Sequence, residues 1–258
     1  MESQDGYLAG SDRLRVQDIH DMFTDSRVGA ILCTRGGYGA GRLLDLIDYD
    51  LVRAHPKILV GFSDVTALSM AMLARSGLLT FHGPMVAAEF GGTPTEMAEY
   101  AFWNTLTQGV SQRMLSLGEE GSMRDGVAEG TLIGGNLAVY SSLVGTPYLP
   151  DPSGGILFLE DVGESTYRLD RMLLQLKHAG VLRAVAGVVL GSFTSIPDTV
   201  PDRELETVLR EYLLPLNIPV MTGFPFGHIQ DKVTLPLGAQ VRLDTKKRQL
   251  TVLQAVVS

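Results

Sequence analysis

The sequence predicts an α/β protein with a mostly parallel sheet, and three observations lead to that fold class. Short apolar runs of strand length alternate with segments whose apolar residues recur at helical spacing. The chain has 258 residues, of which 45% are apolar, enough to fill a sizeable core. The periodicity fades over 110–128, where small and charged residues take over and a domain boundary is expected.

The first half of the chain alternates strands with helices. Ser11 is placed to cap a first helix, whose apolar residues at helical spacing are Val16, Ile19, Met22 and Phe23. The next predicted elements are a strand over 28–34, a helix over 42–48, a strand that runs into a helix over 57–77, a strand over 78–84 and a helix over 95–107 that Gly109 ends. Strands joined by helices in this way are expected to lie parallel.

The second half repeats the alternation and ends in a hairpin. A strand over 155–161 precedes a helix that Ser165 begins and Gly180 ends, with apolar residues at Leu169, Met172, Leu173 and Leu176. The remaining predicted elements are a strand over 184–193, a helix that carries Leu205, Val208, Leu209, Tyr212 and Leu213, and a hairpin over 239–254 with a charged turn.

Composition excludes several classes of protein. Charged residues are 19% of the chain and the net charge is −8, so no general attraction to nucleic acid or to an anionic membrane is expected. Neither an export signal nor an apolar run long enough to span a bilayer is visible, which predicts a soluble cytoplasmic protein. A single cysteine, Cys33, excludes an intramolecular disulfide and a cysteine-based zinc cluster.

Ser63 and Asp64 stand at the corner between the strand and the helix of 57–77. A side chain on such a tight turn is held clear of the sheet at the positive end of the helix, which suits a nucleophile. Gly61 allows the turn to tighten, but the full G-x-S-x-G pattern is absent because Val65 follows Asp64. Local sequence therefore leaves two readings open, a nucleophilic Ser63 or a pair of helix-capping residues.

A nucleophilic serine needs a base and an acid that orients the base. Among five histidines, His82 ends a strand, while His228 lies in a loop with no apolar face to fill and is preferred. Glu160 and Asp161 both close a strongly apolar strand, at the edge where parallel sheets bind ligands. Local sequence does not choose between these two carboxylates.

A glycine-rich loop, RGGYGAGR, follows the strand of 28–34. Consecutive glycines expose backbone N–H groups that can hold an oxyanion or a carboxylate, and Arg35 and Arg42 add positive charge. The glycine spacing departs from the G-x-G-x-x-G pattern of dinucleotide-binding loops, so a nucleotide site is disfavoured. A tight turn without a ligand explains the loop equally well.

Six blocks of the sequence, in this order, resemble the LD-carboxypeptidase family, which are serine peptidases that include muropeptide LD-carboxypeptidases and microcin C immunity peptidases. The blocks are RGGYGAGRLLDLIDYD, HPKILVGFSDVTAL, TFHGPM, GGNLAVYSSLVGTPYLPD, ILFLEDVGESTYRLDRMLLQL and GHIQDKVTLPLG. The resemblance covers nearly the whole chain from Tyr7 onward, which makes it more specific than any single motif.

The resemblance implies a catalytic triad and a substrate-binding loop, with no metal or other cofactor. Its triad is serine, glutamate and histidine in chain order, and the matching residues are Ser63, Glu160 and His228. The N–H of Asp64 and an N–H of the Gly36–Gly37 turn are expected to form the oxyanion hole. Either Arg35 or Arg42 is expected to bind the terminal carboxylate of the substrate.

The resemblance also implies a two-domain homodimer. A Rossmann-like domain over 1–110 carries the serine, a linker covers 111–128, and a mixed-sheet α/β domain over 129–258 carries the glutamate and histidine, with the site in the cleft between them. Family members usually have a strand and helix ahead of the block that begins this chain. The first domain is therefore expected to lack that strand and to expose a sheet edge.

The substrate that the resemblance implies is a muropeptide, cleaved between the L-centre of a diamino acid and a terminal D-alanine during peptidoglycan recycling. The alternative is a peptide–nucleotide antibiotic, which needs aromatic contacts to the base, and Trp103 lies far in sequence from the triad blocks. A protein that binds muropeptides without cleaving them and a nucleotide-binding α/β protein are the other hypotheses.

Overall fold

The computed structural model describes residues 5–107, 113–116, 121–197 and 203–257. The helices are α1 (Asp12–Thr24), α2 (Tyr49–Ala54), α3 (Thr66–Ser76), α4 (Glu96–Thr107), α5 (Leu137–Ser142), α6 (Thr166–His178), α7 (Val181–Ala184) and α8 (Leu205–Leu213). The strands are β1 (Ala30–Leu32), β2 (Ile58–Val60), β3 (Thr80–His82), β4 (Arg113–Ser116), β5 (Ser122–Arg124), β6 (Val127–Asn136), β7 (Ile156–Val162), β8 (Gly187–Thr194), β9 (Val220–Met221), β10 (Leu235–Leu237), β11 (Gln240–Asp244) and β12 (Gln249–Val252).

The first sheet has the strand order β1-β2-β3-β10 among the described residues. Its first three strands are parallel, as predicted, because α2 and α3 return the chain to the same end of the sheet. The fourth strand, β10, lies antiparallel to β3 and comes from the second half of the chain. The far edge belongs to β1, whose residues are exposed or half-buried.

The second sheet is mixed, and its strand order is β4-β12-β11-β6-β7-β8-β9-β5. The inner run from β6 to β9 is parallel. Antiparallel strands flank it on both sides. The predicted fold class, a mostly parallel first sheet followed by a mixed α/β unit, is thereby confirmed.

Local predictions were confirmed at several elements and wrong at one. The Ser11 hydroxyl accepts a hydrogen bond from the N–H of Leu14 at the start of α1, and the C-terminal hairpin forms from β11 and β12. The helix predicted over 42–48 does not form. A 3₁₀ turn ends at Leu43, and α2 begins only at Tyr49 because the Asp48 carboxylate caps the N–H groups of Asp50 and Leu51.

The segment predicted as a linker, 111–128, contains strands. Within it lie β4, β5 and the first residues of β6, all paired through long-range ladders in the second sheet. Gly109, predicted to end α4, lies outside the described residues. The division into two domains remains a prediction.

A direct hydrogen bond joins the second sheet to α3, the helix that follows β2, next to the candidate site. The backbone N–H of Asn136, at the end of β6, donates to the hydroxyl of Thr66 at the start of α3, over 3.1 Å. Both residues are buried. The carboxyl ends of β2 and β7 are therefore held close together, and the candidate site lies there.

Candidate active site

Ser63 lies on a strained turn at the carboxyl end of β2. Its φ is +62°, a left-handed backbone conformation that residues other than glycine rarely adopt. A 3₁₀ turn over Ser63–Val65 leads directly into α3, so the serine stands at the amino end of a continuous helical segment. Strain of this kind holds a nucleophile clear of the sheet in strand–turn–helix hydrolases.

The side chains of Ser63, His228 and Glu160 form one hydrogen-bonded chain in the structure. The Ser63 Oγ lies 3.1 Å from Nε2 of His228, and Nδ1 of the same ring lies 2.7 Å from Oε2 of Glu160. An ionised Glu160 accepts from Nδ1–H, which leaves Nε2 free to accept the serine proton. The three side chains come from the turn after β2, from β7 and from the loop between β9 and β10, and they are separated by up to 165 residues in the sequence.

The pleat of β7 separates the two carboxylates that the sequence left as alternatives. Glu160 is fully buried and points to His228, whereas Asp161 accepts hydrogen bonds from Nδ2 of Asn136 and the N–H groups of Ala138 and Val162. Burial raises the pKa of the Asp161 carboxyl to about 6. Asp161 therefore anchors the start of α5 on the other side of the strand.

The loop that carries His228 is fixed at both ends. The N–H of Val233 donates to the carbonyl of Pro225, and the N–H of Ser192 on β8 donates to the carbonyl of Phe226. Gly227 has φ +107°, and a Cβ placed there would lie 2.8 Å from Oε2 of Glu160. Glycine at this position therefore lets the loop approach the carboxylate closely enough for the His228 contact.

His82, the second histidine considered as a base, lies in an aromatic cluster. It is buried, and its ring packs at 5.2–5.9 Å between centroids against Phe62, Phe158 and Phe226. Burial lowers the pKa of His82 to about 4, so the ring is neutral at physiological pH. Its Nε2 has no hydrogen-bond partner within the described part of the chain.

The glycine-rich loop lies directly against Ser63. A Cβ added to Gly36 would fall 2.8 Å from Cβ and 3.0 Å from Oγ of Ser63, and 3.6 Å from the backbone N of Asp64. The carboxylate of Asp64 accepts the N–H of Ala40 at 2.8 Å, which ties this loop to the serine turn. The backbone of Gly36 and the backbone N of Asp64 therefore lie close to the Ser63 side chain.

A cavity of about 500 Å³ opens over the serine. Among the described residues its lining includes Arg35, Gly36, Gly37, Ser63 and His228. No ion pair of the exposed Arg35 side chain occurs within the described residues.

Arg42 does not line this cavity and makes a bidentate ion pair with Asp12, with N–O distances of 2.7–3.0 Å. The structure therefore brings one of the two predicted arginines to the cavity.

Sequence reasoning missed a buried ion pair in the cavity wall. Nζ of Lys232 lies 2.6 Å from Oε1 of Glu89, and both residues line the cavity. No local signal marked the pair, because Lys232 directly follows the polar residues Gln230 and Asp231, as an exposed lysine would.

The described residues contain neither a candidate metal site nor a candidate membrane-spanning helix. No group of three or more His, Cys, Asp or Glu side chains there has the arrangement of a metal site. None of the described helices is long and apolar enough to cross a membrane.

A hydroxyl, an imidazole and a carboxylate in hydrogen-bonded sequence, with the hydroxyl on a strand–turn–helix corner, is the arrangement of serine hydrolases of α/β fold. Residues 1–83 match the LD-carboxypeptidase N-terminal domain, and residues 129–243 match the LD-carboxypeptidase C-terminal domain. The chain belongs to the LD-carboxypeptidase family.

Individual relatives support the same assignment. The chain is 38% identical, over its full length and 82% of the relative, to a probable murein peptide carboxypeptidase of Bacillus subtilis. It matches a crystal structure of muramoyltetrapeptide carboxypeptidase from Oxalobacter formigenes with 37% identity and a TM-score of 0.88, covering 97% of this chain and 87% of that one. A structure of MccF in complex with glutamyl sulfamoyl guanosine matches with 28% identity and a TM-score of 0.93, covering 100% and 85%.

Proposed function

We propose that this protein is a serine carboxypeptidase that removes the terminal D-alanine of muropeptides by cutting its amide bond to the L-centre of a diamino acid. The alignment of Ser63, His228 and Glu160 at 3.1 and 2.7 Å is the observation that carries the proposal. The names of the two carboxypeptidase relatives support the substrate class.

In the proposed reaction Ser63 attacks the scissile carbonyl while His228 takes its proton. Glu160, buried beside the imidazole, orients the ring and stabilises the imidazolium that forms. When the tetrahedral intermediate collapses, the imidazolium returns the proton to the leaving D-alanine nitrogen. Water then hydrolyses the acyl-enzyme with the same base, and neither step requires a metal or other cofactor.

Two backbone groups and one side chain complete the proposed site. The N–H of Asp64 and an N–H of the Gly36–Gly37 turn stabilise the oxyanion, because both segments lie against Ser63. Arg35 binds the terminal carboxylate of the substrate, since it is the arginine at the cavity and makes no ion pair within the described residues.

The test uses the tetrapeptide L-Ala-γ-D-Glu-meso-diaminopimelyl-D-Ala and mass spectrometry. We expect wild-type protein to release D-alanine, and we expect Ser63→Ala to release none above background while it still binds the peptide. Binding without release by the wild type would indicate a muropeptide-binding protein and would contradict the proposed catalysis.

A peptide–nucleotide substrate is the second candidate, because MccF structures match this chain at TM-scores up to 0.93 and include complexes with aminoacyl sulfamoyl nucleosides. Trp103 is half-exposed on α4 and is not among the described residues that line the cavity. An aromatic platform for a base at this cavity is therefore not provided by Trp103. Cleavage of glutamyl sulfamoyl adenosine at a rate above that of the tetrapeptide would favour this candidate.

We also propose that the protein works as a homodimer in the cytoplasm, where muropeptides are recycled. The assembly proposal rests on the family resemblance, and light scattering after size-exclusion chromatography tests it. A mass near 55.8 kDa, twice the 27.9 kDa of the chain, is expected. A mass of 27.9 kDa at micromolar concentration would contradict the dimer.

A further inference from the structure

We propose that the buried Lys232–Glu89 ion pair is a positioning device that holds His228 in register with Ser63. The inference rests on the proposed function, because it assigns the pair a role in activating that serine. Neither side chain is placed among the reacting atoms. Both act through Phe62, the residue before Ser63, and through the loop that carries His228.

The pair joins two walls of the cavity. Lys232 lies four residues after His228 on the same loop, and Glu89 lies on the turn that follows β3. Oε1 of Glu89 contacts Nζ of Lys232 at 2.6 Å, and Oε2 accepts the N–H of Met85 at 2.7 Å. Both carboxylate oxygens are therefore used, one within the turn and one across the cavity.

Lys232 also makes a cation–π contact with Phe62. Its Nζ lies 4.1 Å from the centroid of the Phe62 ring, well within the range of that interaction. The same ring packs edge-on against the His228 imidazole, with centroids 4.9 Å apart. Displacement of Lys232 therefore changes the packing surface of the imidazole as well as the path of its loop.

Backbone hydrogen bonds also fix the turn that carries Glu89 to the start of the glycine-rich loop. The N–H of Val86 donates to the carbonyl of Cys33 at 3.1 Å, and the N–H of Ala87 donates to the carbonyl of Thr34 at 2.7 Å. Arg35 and Gly36 follow directly. The ion pair thus lies at the junction of the serine turn, the histidine loop and the glycine-rich loop.

Stability alone is a poor explanation for the pair. Only 3% of the Lys232 side chain and 14% of the Glu89 side chain are exposed. Removal of two such charges from water costs about as much as their attraction returns, so an apolar pair of similar volume is often equally stable. A charged pair beside a reacting serine is better explained by the geometry that it imposes, because a displacement of about 1 Å can cost about 100-fold in rate.

The test measures the reactivity of Ser63 with a fluorophosphonate probe, which the serine attacks at phosphorus with loss of fluoride. This readout depends on activation of Ser63 and not on the identity of the peptide substrate. The variants are Lys232→Met, Glu89→Gln, the double variant and Lys232→Arg. Lys247→Met is the matched control, since the Lys247 side chain is exposed, pairs with Asp244 and is not among the described residues that line the cavity.

We expect Lys232→Met to react about 10-fold to 100-fold more slowly than wild type and to melt at a lower temperature, because Glu89 is left as an unpaired buried charge. The double variant removes that charge, so its melting temperature recovers while its reactivity stays at least about 10-fold low. Lys232→Arg should recover part of the rate, because a guanidinium can both pair with the carboxylate and lie over the ring.

The outcomes separate positioning from a structural role. A double variant that recovers both melting temperature and reactivity to within about threefold of wild type would overturn the positioning proposal. Lys247→Met is expected to react as wild type does. Wild-type protein that fails to react with the probe at Ser63 would overturn the proposed function and this inference together.

Discussion

The serine corner of the first sheet and the glutamate end of the second sheet build one site by different physical means. At the serine corner, Ser63 has φ +62° and the backbone of Gly36 comes so close that a Cβ would not fit. At the glutamate end, β7 is buried from Ile156 to Asp161, and its pairing with β8 shifts register between Leu159 and Asp161. Strain and close approach place Ser63, whereas strand pleat and burial place Glu160.

This difference predicts which kinds of substitution each region tolerates. The serine corner should be sensitive to added volume, because its geometry depends on a gap that one methyl group would fill. The glutamate end should be sensitive to charge and to hydrogen-bonding capacity, because its side chains are already in a fixed frame. Substitutions in the two regions therefore test that contrast.

At the glutamate end, Glu160→Gln should lower kcat by about 10³-fold to 10⁴-fold, because a neutral amide neither stabilises the imidazolium nor fixes the tautomer of His228. Steady-state cleavage of the tetrapeptide measures the effect. Asp161→Asn is the neighbouring control and should keep kcat within about threefold, although it weakens the hydrogen bonds to Asn136 and Ala138 and lowers the melting temperature. An equal loss of kcat in both variants would mean that the two carboxylates at the end of β7 contribute together and that Glu160 has no separate role.

At the serine corner, Gly36→Ala should lower kcat by about 100-fold, because its Cβ would lie 2.8 Å from Cβ and 3.0 Å from Oγ of Ser63. Fluorophosphonate labelling and peptide cleavage should fall together. Gly41→Ala is the matched control in the same loop, since a Cβ there meets no atom within 4 Å. Full activity of Gly36→Ala would show that the loop moves aside and that close approach is not what places the serine.

The same contrast explains how far sequence reasoning could reach. Alternation of apolar runs predicted the parallel strands β1 to β3, and α3, which joins β2 to β3, has its own local signal. The added strand β10 and the short strands β4 and β5 were not predicted, since they are held by partners far away in the sequence. The helix predicted over 42–48 was wrong because the cap at Asp48 outweighs the apolar spacing before it.

The site residues also differ in how far the local sequence predicted them. Ser63 had a local signal in its strand–helix corner, but local sequence left Glu160 and Asp161 equivalent, and only the family resemblance chose between them. Strand pleat places the two carboxylates on opposite faces, yet which face meets His228 depends on how the sheets meet. Lys232 and Glu89 are 143 residues apart in the sequence, so their pairing had no local signature.

Where the two regions meet, His82 should make folding sensitive to acid. Burial holds the pKa of His82 near 4, below its ordinary value of 6.5, so the unfolded chain takes up a proton first as the pH falls. This contribution is fully present above pH 6.5 and is lost progressively toward pH 4. Between pH 7 and pH 5 the free energy of unfolding of wild type should fall by about 2 kcal/mol more than that of His82→Leu.

Urea denaturation at the two pH values measures this difference, and Asp161 supplies a control of opposite sign. The raised pKa of Asp161, about 6, gives stability that is present at low pH and is lost as the pH rises through that value. Asp161→Asn should therefore make the acid loss of stability steeper, whereas His82→Leu makes it shallower. Parallel pH profiles for wild type and His82→Leu would refute the prediction.

The smallest expected effect concerns recognition at the cavity rather than chemistry. If Arg35 binds the terminal carboxylate, Arg35→Met should raise KM about 10-fold for the free tetrapeptide and leave kcat within about twofold, because a ground-state and transition-state contact is lost equally. With the C-terminal carboxamide of the same peptide, wild type and Arg35→Met should have similar KM values. Arg42→Met should change neither, since Arg42 is paired with Asp12. If Arg35→Met raises KM equally for both peptides, Arg35 does not bind the terminal carboxylate. Its role would then be to maintain the conformation of the glycine-rich loop, and the serine corner itself would recognise the substrate.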